Sequence, residues 1–129
     1  MIDIKQHLKE LVSQSGLSGN EEPIRKVIAG TWKPLVDELS TSKVGSLHGL
    51  RRGIGKEPRH RILLAAHMDA IGMMVTTIVD GFLHITEVGG VDPRILPGQQ
   101  VIVHGRHDLP GVINQVPDRL MPANRSGEP

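Results

Sequence analysis

The sequence predicts a mixed α/β chain, and three observations carry that prediction. Two capped amphipathic helices open it. An uncharged aliphatic run, Ile62-Leu-Leu-Ala-Ala66, then closes in His67-Met-Asp69. After Gly72 come short strands broken by turn residues, a spacing that suits a small barrel or sandwich.

Residues 3–15 read as the first helix. Ile4, Leu8, Leu11 and Val12 fall on one face, Asp3 is placed to cap it with Gln6 three positions on, and Gly16 is placed to end it. His7 lies off that face and reads as a solvated residue. Ser18-Gly-Asn-Glu21 has the form of a second capping box. Pro23 is tolerated in a first turn, and Ile24, Val27, Ile28, Thr31 and Trp32 make the next apolar stripe until Pro34 stops it. On that stripe Trp32 reads as core and not as a ligand platform.

Residues 39–43 and 47–51 read as two short strands around Gly45-Ser46. Residues 53–60 form a polar loop that leaves His48 and His60 exposed on either side. Gly53 and Gly55 neither follow a buried strand nor open a helix, so they carry no phosphate-binding reading.

Residues 61–66 read as a buried strand. In open α/β sheets ligands bind at the carboxyl edge, where His67 and Asp69 would emerge. Being two apart, they point to the same side of an extended backbone. Burying two ionisable groups there is costly unless they are paired or bound to something. A metal-ligating histidine commonly gives its second nitrogen to a carboxylate or carbonyl, a need Asp69 could meet. A His-x-Asp pair is also common as a structural or surface pair, and on the residues alone both readings stand.

Residues 73–79, Asp80-Gly81 and 82–87 form the clearest hairpin, since Asp-Gly suits the positive φ of a type I′ turn. Gly89-Gly90 opens a loop through Pro93 and Pro97. Residues 101–104 and 111–115 read as two further strands. His104 and His107 are a possible metal pair across an irregular turn. Residues 116–129 hold three prolines and no closing strand, so the chain reads as the first part of a longer domain with unpaired edges.

Composition narrows the function classes. A chain of 129 residues suits one domain with a moderate core. With one Trp, one Phe and no Tyr, that core is aliphatic. A net charge of +1 and the lack of aromatic stacking platforms exclude a nucleic-acid partner from the expectation. There are no cysteines, so a metal would have to use His, Asp or Glu, and a cytoplasmic location fits. No secretory pattern and no apolar run of roughly eighteen residues is present, so no membrane partner is expected.

Four stretches together resemble the M42 family of metallo-aminopeptidases, which includes glutamyl aminopeptidases, tetrahedral aminopeptidases and relatives once labelled endoglucanase. Ser15-Gly-Leu-Ser-Gly-Asn-Glu-Glu22 is similar to the segment leading into a family helix. Leu63-Leu-Ala-Ala-His-Met-Asp-Ala-Ile-Gly72 resembles the first metal-ligand motif, usually His-x-Asp-Glu-Ile-Gly. Gly81-Phe-Leu83, Val88-Gly-Gly-Val-Asp92 and Pro97-Gly-Gln99 resemble the start of an inserted β-barrel. Leu109-Pro-Gly-Val-Ile113, Pro117 and Leu120-Met-Pro122 resemble its next segment.

The resemblance implies the N-terminal part of a phosphorylase/peptidase-like α/β catalytic domain over residues 1–71. Part of a small β-barrel insert of the dimerisation type would follow over residues 72–129. It implies an aminopeptidase that hydrolyses N-terminal residues from peptides with two divalent ions, Zn or Co, activating a water. By match to the motif His67 is the metal ligand, and Asp69 is the catalytic carboxylate that supports it and tunes its basicity. The partners implied are a peptide substrate and a second copy of the chain, paired through the insert.

Three departures bear on activity. The other metal ligands and the general base of the family lie beyond this chain, Ala70 stands where a Glu is usual, and Ser42 and Gly45-Ser46 stand for the usual Asp and Gly-Asn. One histidine cannot hold two ions, so at most one weak site and no turnover are expected of the chain alone. The alternative is a non-catalytic remnant that acts as a self-association module.

Overall fold

The computed structural model describes residues 3–115, and it is a mixed helix and sheet structure as expected. Helix α1 spans Ile4–Val12, helix α2 Glu22–Trp32, strand β1 Glu38–Thr41 and strand β2 Leu47–Leu50. Strands β3, Gly72–Val79, and β4, Phe82–Val88, follow; after a short 3-10 turn at Pro93–Ile95 come β5, Gln100–Val103, and β6, Leu109–Val112. The strands pair antiparallel as three separate two-stranded sheets, β1 with β2, β3 with β4 and β5 with β6. No barrel closes among the described residues. They fall in two compact units, one ending at Val91 and the other beginning at Asp92. Residues 116–129, including the Pro117 and Leu120-Met-Pro122 matches, lie outside the described residues.

Local chemistry explains the elements that form. The Asp3 side chain accepts from the backbone N–H groups of Lys5 and Gln6, which satisfies two of the free donors at the start of α1. Asp3→Ala is expected to destabilise that helix by about 1 kcal/mol, read as faster amide exchange in its first turn. In the β3–β4 turn Asp80 has φ 49° and Gly81 φ 84°, the type I′ geometry whose twist matches the flanking strands. The register slips between Val75 and Thr77, where the Thr76 hydroxyl donates to the His84 carbonyl at 3.2 Å.

The first unit is held by α2. Its Ile24 is 5% exposed and is the one buried hydrophobic side chain among the described residues. The Arg25 guanidinium reaches across to the Gly45 carbonyl in the β1–β2 turn at 3.3 Å. Trp32 packs on β2 so closely that a Cβ at Gly49 would sit 3.1 Å from its ring. It remains 38% exposed, so it flanks the core and does not fill it.

Two expectations are corrected. Residues 61–66 are not a buried strand: they form no regular element, and Ile62, Leu63 and Leu64 are 86%, 88% and 90% exposed. A central strand exists only with neighbours to accept its ladder bonds and cover its faces, and no strand among the described residues pairs with this run. Ser18 does not cap α2. Its N-cap is Glu21, which makes no side-chain cap bond; the Glu21 carboxylate instead accepts from the Gly19 N–H at 2.6 Å.

Candidate functional site

The site is built where residues 16–18 meet residues 67–70. The Ala70 N–H donates to the Gly16 carbonyl at 2.7 Å. Leu17 and Ala70 form an isolated parallel bridge. This contact needs a glycine, because a Cβ at Gly16 would stand 2.8 Å from Ile24 Cγ2 and 3.6 Å from the Met68 carbonyl. The buried side chain of α2 therefore sits directly under the loop that grips the His67 segment. Gly16→Val is expected to cost about 1–3 kcal/mol of stability through overpacking, measured by denaturant unfolding.

On this platform His67 and Asp69 come together as the motif spacing predicts. His67 Nδ1 lies 3.0 Å from the Asp69 carbonyl oxygen and 3.3 Å from Asp69 Oδ1. The other carboxylate oxygen, Oδ2, accepts a short hydrogen bond from the Ser18 hydroxyl. The imidazole is 86% exposed and the Asp69 side chain 41%. Both line an open cleft of about 550 Å³, with Leu11, Ile28, Trp32 and Ser46 among its other walls. His7 also lines it and is half-buried, not the solvated residue its position off the apolar face predicts.

The Ser18 hydroxyl is the main reason that the Asp69 carboxyl is held below the usual carboxylate range. Partial desolvation opposes this, while the backbone N–H of Asp69 and the His67 ring reinforce it. A depressed acid contributes stability above its ordinary value, near pH 4, and loses that contribution as pH falls through the folded-state value. Asp69→Asn is therefore expected to flatten the acid limb of the stability profile. Parallel loss of stability in wild type and variant below about pH 4 would contradict that.

A ligating imidazole gives one nitrogen to the ion and donates the other N–H to a carboxylate or carbonyl. His67 fits that role at one position: Nδ1 faces two acceptors, and Nε2 has no partner among the described residues. The fit stops there. Among the described residues no group of three His, Asp or Glu side chains could hold an ion. His104 has a similar brace, with Nδ1 2.9 Å from Asp108 Oδ1, but neither it nor His107 belongs to a group of three candidate ligands among the described residues. Sequence reasoning missed Ser18 as part of the site. Its Ser-x-x-Glu pattern reads as a cap, and nothing local signals a contact 51 positions away.

Comparison with known proteins finds relatives of this chain. The family model of M42 glutamyl aminopeptidase matches residues 45–129. A putative aminopeptidase of Acetivibrio thermocellus is 44% identical over 100 residues, covering 77% of this chain and 29% of that protein. The lysyl aminopeptidase of Pyrococcus furiosus is 32% identical over 116 residues, covering 88% of this chain and 32% of that protein. Among solved structures, an aminopeptidase of Desulfurococcus kamchatkensis superposes with a TM-score of 0.80 at 36% identity, over 89% of this chain and 32% of its own. The TET aminopeptidase of a Thaumarchaeota archaeon gives a TM-score of 0.80 at 28% identity, over 96% of this chain and 35% of its own. The chain spans about a third of the length of the curated relatives it matches. With its matched stretch running through His67-Met-Asp69 and the strands after it, the chain belongs to the M42 glutamyl aminopeptidase family.

Proposed function

We propose that this chain supplies the first metal-ligand motif of a di-metal aminopeptidase that removes N-terminal residues from peptides. In this reading residues 1–71 belong to the catalytic part, residues 72–129 belong to the barrel insert, and the protein works in the cytoplasm. His67 would hold one divalent ion through Nε2, and Asp69 would brace the ring through Nδ1. The ions, Zn or Co, would supply a polarised water and a counter-charge for the oxyanion. The observation that carries the reading is the pairing of His67 Nδ1 with the Asp69 carbonyl oxygen and with Oδ1 at the edge of the cleft. The test is a chain extended by the remainder of the Acetivibrio thermocellus relative. It is expected to release N-terminal residues in a metal-dependent way and to lose that activity with His67→Ala; equal rates with and without His67 would contradict the reading.

A second reading, self-association through the insert strands, is favoured by exposed apolar side chains. Ile78 and Phe82 on the β3–β4 hairpin are 66% and 69% exposed, and Ile102 and Leu109 on the β5–β6 pair are 64% and 60% exposed. Phe82→Glu is expected to lower the association measured by sedimentation. Unchanged sedimentation would count against the hairpin as the contact.

A further inference from the structure

We propose that Ser18 is the positioning residue of the His67–Asp69 pair, fixing the imidazole as the tautomer that carries its proton on Nδ1. The proposal rests on the reading of His67 as a metal ligand. It adds a residue from a different part of the chain, 51 positions away.

The geometry assigns each atom a task. Two oxygens face His67 Nδ1, the Asp69 carbonyl at 3.0 Å and Oδ1 at 3.3 Å. Neither can donate, so Nδ1 must. With the proton there, the neutral ring keeps its lone pair on Nε2, the form that binds a cation. The carboxylate stays in place only if its own rotation is stopped, because its terminal torsion is broad and soft. The Ser18 hydroxyl stops it by holding Oδ2.

Ser18 can do this because its backbone is registered onto the His67 segment. The Gly16–Ala70 hydrogen bond and the Leu17–Ala70 bridge lie immediately beside it. The Asn20 N–H donates back to the Leu17 carbonyl at 2.7 Å, closing the turn that carries Ser18. The hydroxyl has no competing duty in capping, since the α2 cap makes no side-chain bond. Because Ser18 is exposed, water competes for both partners, and the role appears as a change in ring tautomer and not as unfolding.

The experiment is nitrogen NMR of the imidazole ring in the 129-residue chain labelled at histidine, above the pH at which imidazole titrates. Wild type is expected to show His67 protonated on Nδ1. Ser18→Ala should move the ring signals toward those of a free imidazole, and Ser18→Thr should restore them. If Ser18→Ala does not fold, Ser18→Cys replaces it, with an intermediate position expected because a thiol is a weak donor. In an Asp69→Ala background, which removes the carboxylate that both residues contact, loss of the Ser18 hydroxyl should add nothing, as for two residues acting through one contact. A tautomer ratio unchanged by Ser18→Ala or Ser18→Cys, or an equal change in the Asp69→Ala background, overturns the proposal. Added Zn separates it from the reading beneath it. If Zn shifts the His67 signals but Ser18 does not affect the tautomer, the positioning role alone falls. If Ser18 controls the tautomer but Zn leaves His67 unmoved, the metal-ligand reading falls instead.

Discussion

The purified 129-residue chain is expected to leave N-terminal amino-acid amides and short peptides intact, with or without added Zn or Co. Peptide hydrolysis by two metal ions needs several protein ligands for each ion, together with a base that takes the proton from the attacking water. Among the described residues no three candidate ligands converge, and His67 contributes a single nitrogen. Enzymes typically lower the barrier by about 8 kcal/mol or more, and in the reading proposed here that work falls to the paired ions and the base. Release of product above the buffer blank, assayed with a chromogenic aminoacyl anilide, would contradict this; the same chain extended by the rest of the M42 fold is the positive control.

His67→Ala is expected to remove the response of the chain to metal. A ligand that binds only the folded state stabilises it by RT ln(1 + [L]/Kd), about 1.4 kcal/mol at ten times Kd. For a domain of this size that is a melting shift of a few degrees. The shift should vanish in His67→Ala. In Asp69→Asn it should shrink, because the amide can still accept from Nδ1 but lacks the charge that raises the basicity of the ring. The exposed histidines His48 and His60 provide the comparison, since their substitution should leave the shift intact. Equal shifts in wild type and His67→Ala would remove His67 as a ligand.

Much of the fold was legible because its signals are local. Asp3 caps the helix it precedes, and Asp80-Gly81 turns the hairpin it joins, since each depends on backbone groups within a few positions. Residues 61–66 depart from the expected buried strand because composition reports that a run is apolar but not whether a neighbouring strand exists to cover it. Among the described residues no strand pairs with them, and their aliphatic side chains stand exposed. Within the site, His67 and Asp69 were legible as a pair two residues apart. Ser18 was not, because Ser-x-x-Glu carries the same four letters whether the hydroxyl caps a helix or reaches a distant carboxylate. The Trp32 stripe lies on α2, but helical periodicity predicts a face and not how completely that face is covered.

The most direct test of the central claim is a Zn titration of the histidine-labelled chain, following all seven imidazoles at once. The predicted result is that Nε2 of His67 moves first and furthest while its Nδ1 keeps its proton against Asp69. Movement of His104 or His107 with His67 unchanged would show that the cation binds elsewhere.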